Sequence, residues 1–200
     1  MADQSRPYRM KRRAESQQQT RRRITASAVE LHGTLGPSRT SMSAVAEHAG
    51  VRRSTLYRHF PDEAALFDAC TAHWAAANPP PDLAAWSMVD DPDERLTVAL
   101  GEIYAFYRRT EAMLENLFRD EGTVPLVRDR FAVFRGYFAA AQDALLAGRQ
   151  LRGDAELQTR AATGHAIAFS TWKSLVREQG LDDLAAAKLM SAVVSAAVHR

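Results

Sequence analysis

The 200-residue chain has one cysteine, Cys70, so no intrachain disulfide framework can hold it together, and its alanine-rich surroundings suggest a small buried filler in a reducing compartment. No stretch approaches the roughly 18 unbroken apolar residues that a membrane-spanning helix needs. The N-terminus lacks an apolar signal core, and a cytoplasmic location is the expectation. Sustained two-residue alternation, the mark of half-buried strands, is also missing. There is no glycine-rich phosphate loop and no H-E-x-x-H pair. Cys70 and His73 stand three apart, but two potential ligands do not make a zinc site. Ser170 to Lys173 has S-x-x-K spacing without its companion motifs. No acid, base and nucleophile can be assembled into a convergent set, so the chain is not read as an enzyme, and no metal or cofactor is expected.

What the chain does have is a lopsided charge. Residues 1–60 hold 12 Lys/Arg against 4 Asp/Glu, net +8, leaving 14 against 20, net −6, for the other 140. A basic portion on an acidic body points to a polyanion as partner of the first and not of the second. At 46% hydrophobic residues the chain has enough apolar material to fold, which excludes disorder throughout.

The patterning predicts an all-α protein. Residues 1–18 are polar, carry Lys11, Arg12 and Arg13, and read as a flexible basic arm. From Arg21 the spacing of Ile24, Ala28 and Leu31 predicts a first helix, ending at Gly33 or Gly36. Ser41 or Ser43 can cap a second helix that Gly50 breaks. A third runs from about Arg52 to Phe60, and a fourth starts with Pro61 in its first turn and stops near Asn78, before three prolines. Beyond an Asp/Pro-rich loop, helices are predicted over 93–109, 111–119, 125–147, 155–178 and 182–199. In the last, the polar Lys188, Ser191 and Ser195 form one narrow stripe and every other direction is apolar. Such a helix must be covered on two sides, either by a second copy of the chain or as the central core helix of a monomer. The predicted organisation is an arm (1–18), a helical domain with its connecting helix (19–77) and a C-terminal domain (78–200).

Residues 45–60 fit a helix-turn-helix. Ala46 is small enough for a close helix crossing, Gly50 suits the left-handed turn, and Val51, Leu56 and Phe60 lock the pair from inside. With those turned inward, Arg52, Arg53, Ser54, Arg58 and His59 are left mainly outward, on a helix that fits the major groove of DNA.

The run TSMSAVAEHAGVRRSTLYRHFPDEAAL, Thr40 to Leu66, resembles the N-terminal domain of the TetR family of bacterial transcriptional repressors. Thr55, Leu56, Tyr57, His59 and Phe60 match its recognition helix, and Val45, Ala46, Ala49, Gly50, Val51 and Leu66 its flanks. The resemblance implies an N-terminal three-helix helix-turn-helix domain and a C-terminal helical domain that binds a small molecule and dimerises through the last two helices, about 155–199. It also implies a repressor that binds a palindromic double-stranded DNA operator as a homodimer and is released by an effector. Three positions depart from the family pattern. Arg52 stands where a capping Ser is usual, Glu63 where a phosphate-binding Lys is usual, and His32 where an aromatic is.

Resemblance and outward direction together assign base reading to Arg52, Arg53 and Ser54, with Thr55 at the helix start. Tyr57 and His59, helped by Arg58, Thr40 and Ser41, are assigned to phosphates. Arg21, Arg22 and Arg23 are candidates for carrying an arm into the minor groove. In the C-terminal domain Tyr104, Tyr107, Met113, Phe118, Phe131, Phe134, Tyr137, Phe138, His165, Phe169 and Trp172 recur at helical spacing. A stripe of this kind is usually core. The resemblance implies that some of them line a cavity for a small apolar or aromatic effector. The rival readings are an enzyme, or a membrane-surface protein, with an incidental basic N-terminus.

Overall fold

The computed structural model describes residues 5–198, with the side chains of Tyr8 and of Met10 onward. Among them there is no strand. The chain forms α1 (Ser5–Thr34), α2 (Met42–His48), α3 (Arg53–His59), α4 (Glu63–Ala77), α5 (Leu83–Trp86), α6 (Pro92–Asp120), α7 (Pro125–Leu146), α8 (Asp154–Ala166), α9 (Phe169–Lys173) and α10 (Asp183–Val198), with a 3-10 turn at Pro37–Arg39 and a π turn at Ser174–Glu178. They divide into two compact units, one of Met1–Asn78 with Ala112–Asp129, the other of Pro79–Glu111 with Arg130–Arg200.

The first unit is built on a core of Ile24, Ala28, Val45, Ala46, Ala49, Leu56, Phe60, Leu66 and Cys70. Ser41 caps α2 by accepting from Ala44 N at 3.2 Å. Gly50 then takes φ +61°, a left-handed conformation that costs glycine least, and Val51 N reaches back to Ala46 O at 2.9 Å. The turn aims α3 so that Leu56 and Phe60 are fully buried, worth roughly 2–3 kcal/mol each.

Several elements differ from the sequence reading. Residues 5–18, expected as a flexible arm, continue α1 as one helix from Ser5; Met1 to Gln4 lie outside the described residues. Arg, Lys, Gln, Glu and Ala are good helix formers, and Pro7 falls in the tolerated first turn, so an apolar stripe is not required. Pro61 precedes α4 instead of opening it, and Asp62 is the cap, accepting from Ala65 N at 2.8 Å. The two helices expected over 93–109 and 111–119 are one, α6, in which the Thr110 hydroxyl bonds Phe106 O at 2.6 Å and leaves no polar group to break the run.

The first unit also takes in the last turns of α6, which the sequence reading places in the C-terminal domain. Asn116 Nδ2 donates to His32 O at 3.0 Å and Gly33 O at 2.8 Å, and Arg119 donates to Leu35 O at 3.0 Å. These carbonyls end α1, where no intrahelical donor remains. Asp120 accepts from Ser38 N at 2.9 Å. Gly36 lies against this group, and a Cβ there would come within 2.7 Å of Asp120 Oδ2.

In the second unit α8 packs on α10. The helix expected over 155–178 is interrupted at Ile167 and Ala168. The freed carbonyls are not left bare, because Tyr104 Oη donates to Ala166 O at 2.8 Å and Tyr107 Oη to Ile167 O at 2.6 Å. Arg95 donates to Ala144 O and Ala147 O at 3.2 and 2.7 Å and so closes the C-terminal end of α7.

Candidate nucleic-acid interface

Helix α3 separates its chemistry by direction. Leu56 is buried, whereas Arg52, Arg53, Ser54, Tyr57 and Arg58 are exposed, with Thr55 and His59 half-buried. Arg53 and Tyr57, one turn apart, form a single layer. The guanidinium donates to Tyr57 Oη at 3.4 Å and lies 5.6 Å from its ring centroid, which holds the arginine extended along the outer face. Arg52 stands at the N-cap without a side-chain cap bond, as a residue with no acceptor must. Its guanidinium is left outward at the end of α3 where the chain enters.

Arg21 ties α1 to the other end of α3. It donates to His59 O at 2.6 Å and sits 4.1 Å from the Phe60 ring centroid, placing a cation on the carbonyl end of the helix dipole. Arg22 and Arg23 are exposed beside it. Together with Ala14, Gln17, Gln18, Arg58 and His59, Arg21 lines a cleft of about 340 Å³. His59 Nε2 is buried and has no hydrogen-bond partner among the described residues. Its pKa lies below the ordinary imidazole range because of burial first, then the neighbouring Arg58 and Arg21, so an anion that met it would bring the compensation now missing.

Two assigned residues are otherwise engaged. Thr40 is buried and its hydroxyl donates to Gly36 O at 2.8 Å, so it supports the turn into α2 from within. The Ser41 oxygen accepts the capping bond of α2 but stays exposed, with its own proton free to be donated.

Residues 24–70, which include α2 and α3 but not Arg21 or the cleft residues before it, match the family described as bacterial regulatory proteins, tetR family. The likeness to that family covers the helix-turn-helix and its flanks, under a quarter of the 200 residues. No curated protein matches it closely enough to count as a relative. Among solved structures it is similar to a Clostridium perfringens protein assigned to fatty acid metabolism regulation (16% identity, TM-score 0.63, covering 86% of this chain and 96% of that one). It is also similar to NalD, the secondary repressor of the MexAB-OprM multidrug efflux pump in Pseudomonas aeruginosa (19%, 0.57, 90% and 96%), and to the multidrug binding protein EbrR, solved with imidazole (22%, 0.53, 86% and 93%). These likenesses concern the fold.

The second group of sequence-assigned residues is only partly brought together. Tyr107 is the hub, with ring centroids 5.8 Å from Phe138, 5.2 Å from Phe169, 5.9 Å from Trp172 and 6.5 Å from Tyr104. Phe134 lies 4.7 Å from both Phe131 and Phe138 and extends the group. Met113 and Phe118 instead belong to the first unit, where Met113 is buried with its Cε near Gly33 and Phe118 is exposed. His165 is exposed on α8, with a ring nitrogen 3.3 Å from the Thr171 hydroxyl. Burial raises the pKa values of Tyr104, Tyr107 and Tyr137, which keeps their hydroxyls neutral donors. Tyr137 donates to Pro81 O at 2.8 Å and Trp172 Nε1 to Asp183 Oδ1 at 2.9 Å.

Sequence reasoning missed the roles of Asn116, Arg119 and Asp120, whose partners lie more than eighty residues away and leave no local periodicity. It also missed the pairing of Cys70 with His32 at 3.4 Å. Burial holds that imidazole down at about 4 and the thiol up at about 12, so the pair is a neutral core contact and not an activated nucleophile. Among the described residues no group of three or more His, Cys, Asp and Glu could hold a metal ion, and no helix is long and apolar enough to cross a membrane.

Proposed function

We propose that the chain is a ligand-responsive repressor that binds a palindromic operator as a homodimer and lets go when a small apolar or aromatic molecule enters its C-terminal unit. The observation that carries the reading is the division on α3, with Leu56 and Phe60 buried and Arg52, Arg53 and Ser54 outward. Arginine in the major groove makes bidentate bonds to guanine, and the serine hydroxyl can reach a base edge or a phosphate. Tyr57, Arg58 and His59 lie further along, where the helix leaves the groove and meets phosphates.

The homodimer is supported by α10. Ser191 and Ser195 turn inward, bonding Thr97 at 3.1 Å and Asp93 at 3.0 Å, while Leu184, Leu189 and Val193 are exposed together with Leu157 of α8. An apolar outer face beside inward serines is what a helical interface between copies needs. The Tyr107-centred aromatic group supports a site for an aromatic effector, since a planar ligand can replace ring contacts of the same kind. An effector that binds one arrangement of the dimer better would change operator affinity by that difference alone.

The direct experiment is selection of binding sequences by the full-length protein from a random duplex pool at physiological salt. The expected result is a palindrome whose half-sites are about one helical turn, roughly 34–36 Å, apart. Recovery of duplexes with no shared sequence would overturn the reading.

A further inference from the structure

Helix α1 begins at Ser5, nineteen residues before the matched segment opens at Ile24. Its core face does not stop where the core does. Ala14, Gln17, Gln18 and Arg21 follow one another at steps of three, one and three, in line with Thr25 and Ala28 further along, so the stripe that is buried in the folded unit runs on as a polar stripe. That polar stretch is exposed, and it forms one wall of the cleft whose other wall is Arg58 and His59 at the end of α3. Lys11 lies on the same side, within roughly 60° of the stripe at about 100° per residue, whereas Arg12 and Gln19 point nearly opposite. Glu15 is the one acidic residue between Ser5 and Arg23.

We propose that this overhang is a second, rigid DNA contact, whose cleft seats a backbone phosphate of the duplex flanking the bases that α3 reads. The partner is double-stranded DNA recognised without regard to sequence. The inference rests on the operator-binding reading above and adds to it a reach beyond the operator core. A phosphate is the occupant that the lining fits. Two guanidinium groups converge, His59 Nε2 lacks a partner, and the glutamine amides offer further donors. From Arg21 to Lys11 the helix advances roughly 15 Å, the length of about four further base pairs. Because the element is helical and already ordered, the contact does not first have to order a floppy arm.

Two neighbouring glutamines, of which Gln18 lines the cleft and Gln19 does not, provide the test. Gln18→Glu sets a carboxylate in the cleft, and Gln19→Glu makes the same chemical change, with the same net charge, on the far side. Both sites are exposed and Glu is as good a helix former as Gln. Affinities of the full-length protein are measured on a duplex trimmed to the base-read positions and on the same duplex with eight flanking pairs at each end. The expected result is that wild type binds the long duplex about tenfold tighter, Gln18→Glu loses that gain and about 0.9 to 1.8 of the salt slope, and Gln19→Glu stays within about twofold of wild type. On the trimmed duplex Gln19→Glu binds like wild type, and Gln18→Glu loses less than it does on the long one. Equal behaviour of the two variants on the long duplex, or a wild type indifferent to flank length, overturns the inference while leaving operator binding intact. A wild type that binds neither duplex overturns both.

Discussion

The Arg21 guanidinium lies 4.1 Å from the centre of the Phe60 ring while donating to the carbonyl of His59 at 2.6 Å. One side chain of α1 thus closes the end of α3 and covers the aromatic residue that anchors it. Arg21→Ala is expected to cost about 1 kcal/mol, the sum of a modest helix-terminus charge effect and an exposed cation–π contact. Thermal unfolding should show a midpoint lower by a few degrees; an unchanged midpoint would mean that the contact contributes nothing.

Asn116 closes α1 at its far end through two carbonyls, His32 O and Gly33 O. Asn116→Leu keeps the volume and removes both donors. A loss of about 1–3 kcal/mol in urea unfolding is expected, because partly buried acceptors are left unpaired. Full stability in the leucine variant would contradict the capping role.

These two contacts mark where the sequence was legible and where it was not. Leu56, Phe60, Ala46 and Gly50 announce the helix-turn-helix because their constraints are local, set by helix period and by one left-handed turn. The exposure of Arg52, Arg53 and Ser54 follows from the same period. Asn116 and Asp120 gave no such signal, since a cap supplied from another helix has no fixed spacing to the end it caps. Thr40 misled for the opposite reason. Its type suits a phosphate contact, but its hydroxyl is spent on Gly36 O inside the turn. The overhang of α1 reads as an arm in the sequence because apolar periodicity, absent there, reports packing and not helicity.

Acidification should destabilise the first unit through His32. Its folded pKa of about 4 lies below the ordinary 6.5, so the unfolded chain binds the proton more readily. The contribution is complete above about pH 6.5 and shrinks as pH falls toward 4, by at most roughly 3 kcal/mol. Burial alone would raise the pKa of Asp120, but Arg119 and the Ser38 N–H hold it below 3.8, so its loss comes at lower pH and does not overlap. Urea titrations between pH 7 and 4.5 should slope downward for wild type and much less for His32→Phe. Parallel slopes would remove His32 from the account.

The exposed Leu189 and Val193 of α10 are expected to lie between copies of the chain. Leu189→Glu puts an unpaired charge into that face, and sedimentation should show dimers of wild type and monomers of the variant, with far-ultraviolet circular dichroism unchanged. A variant as dimeric as wild type would place the interface elsewhere.

The outward arginines of α3 are tested most directly by titrating Arg53→Ala against the duplex selected by wild type. A loss of about 1–3 kcal/mol, roughly 5- to 150-fold, is expected, together with relaxed preference at one base position in each half-site. Unchanged affinity and unchanged preference, in a variant that unfolds at the wild-type midpoint, would contradict the assignment of α3 as the element that reads DNA.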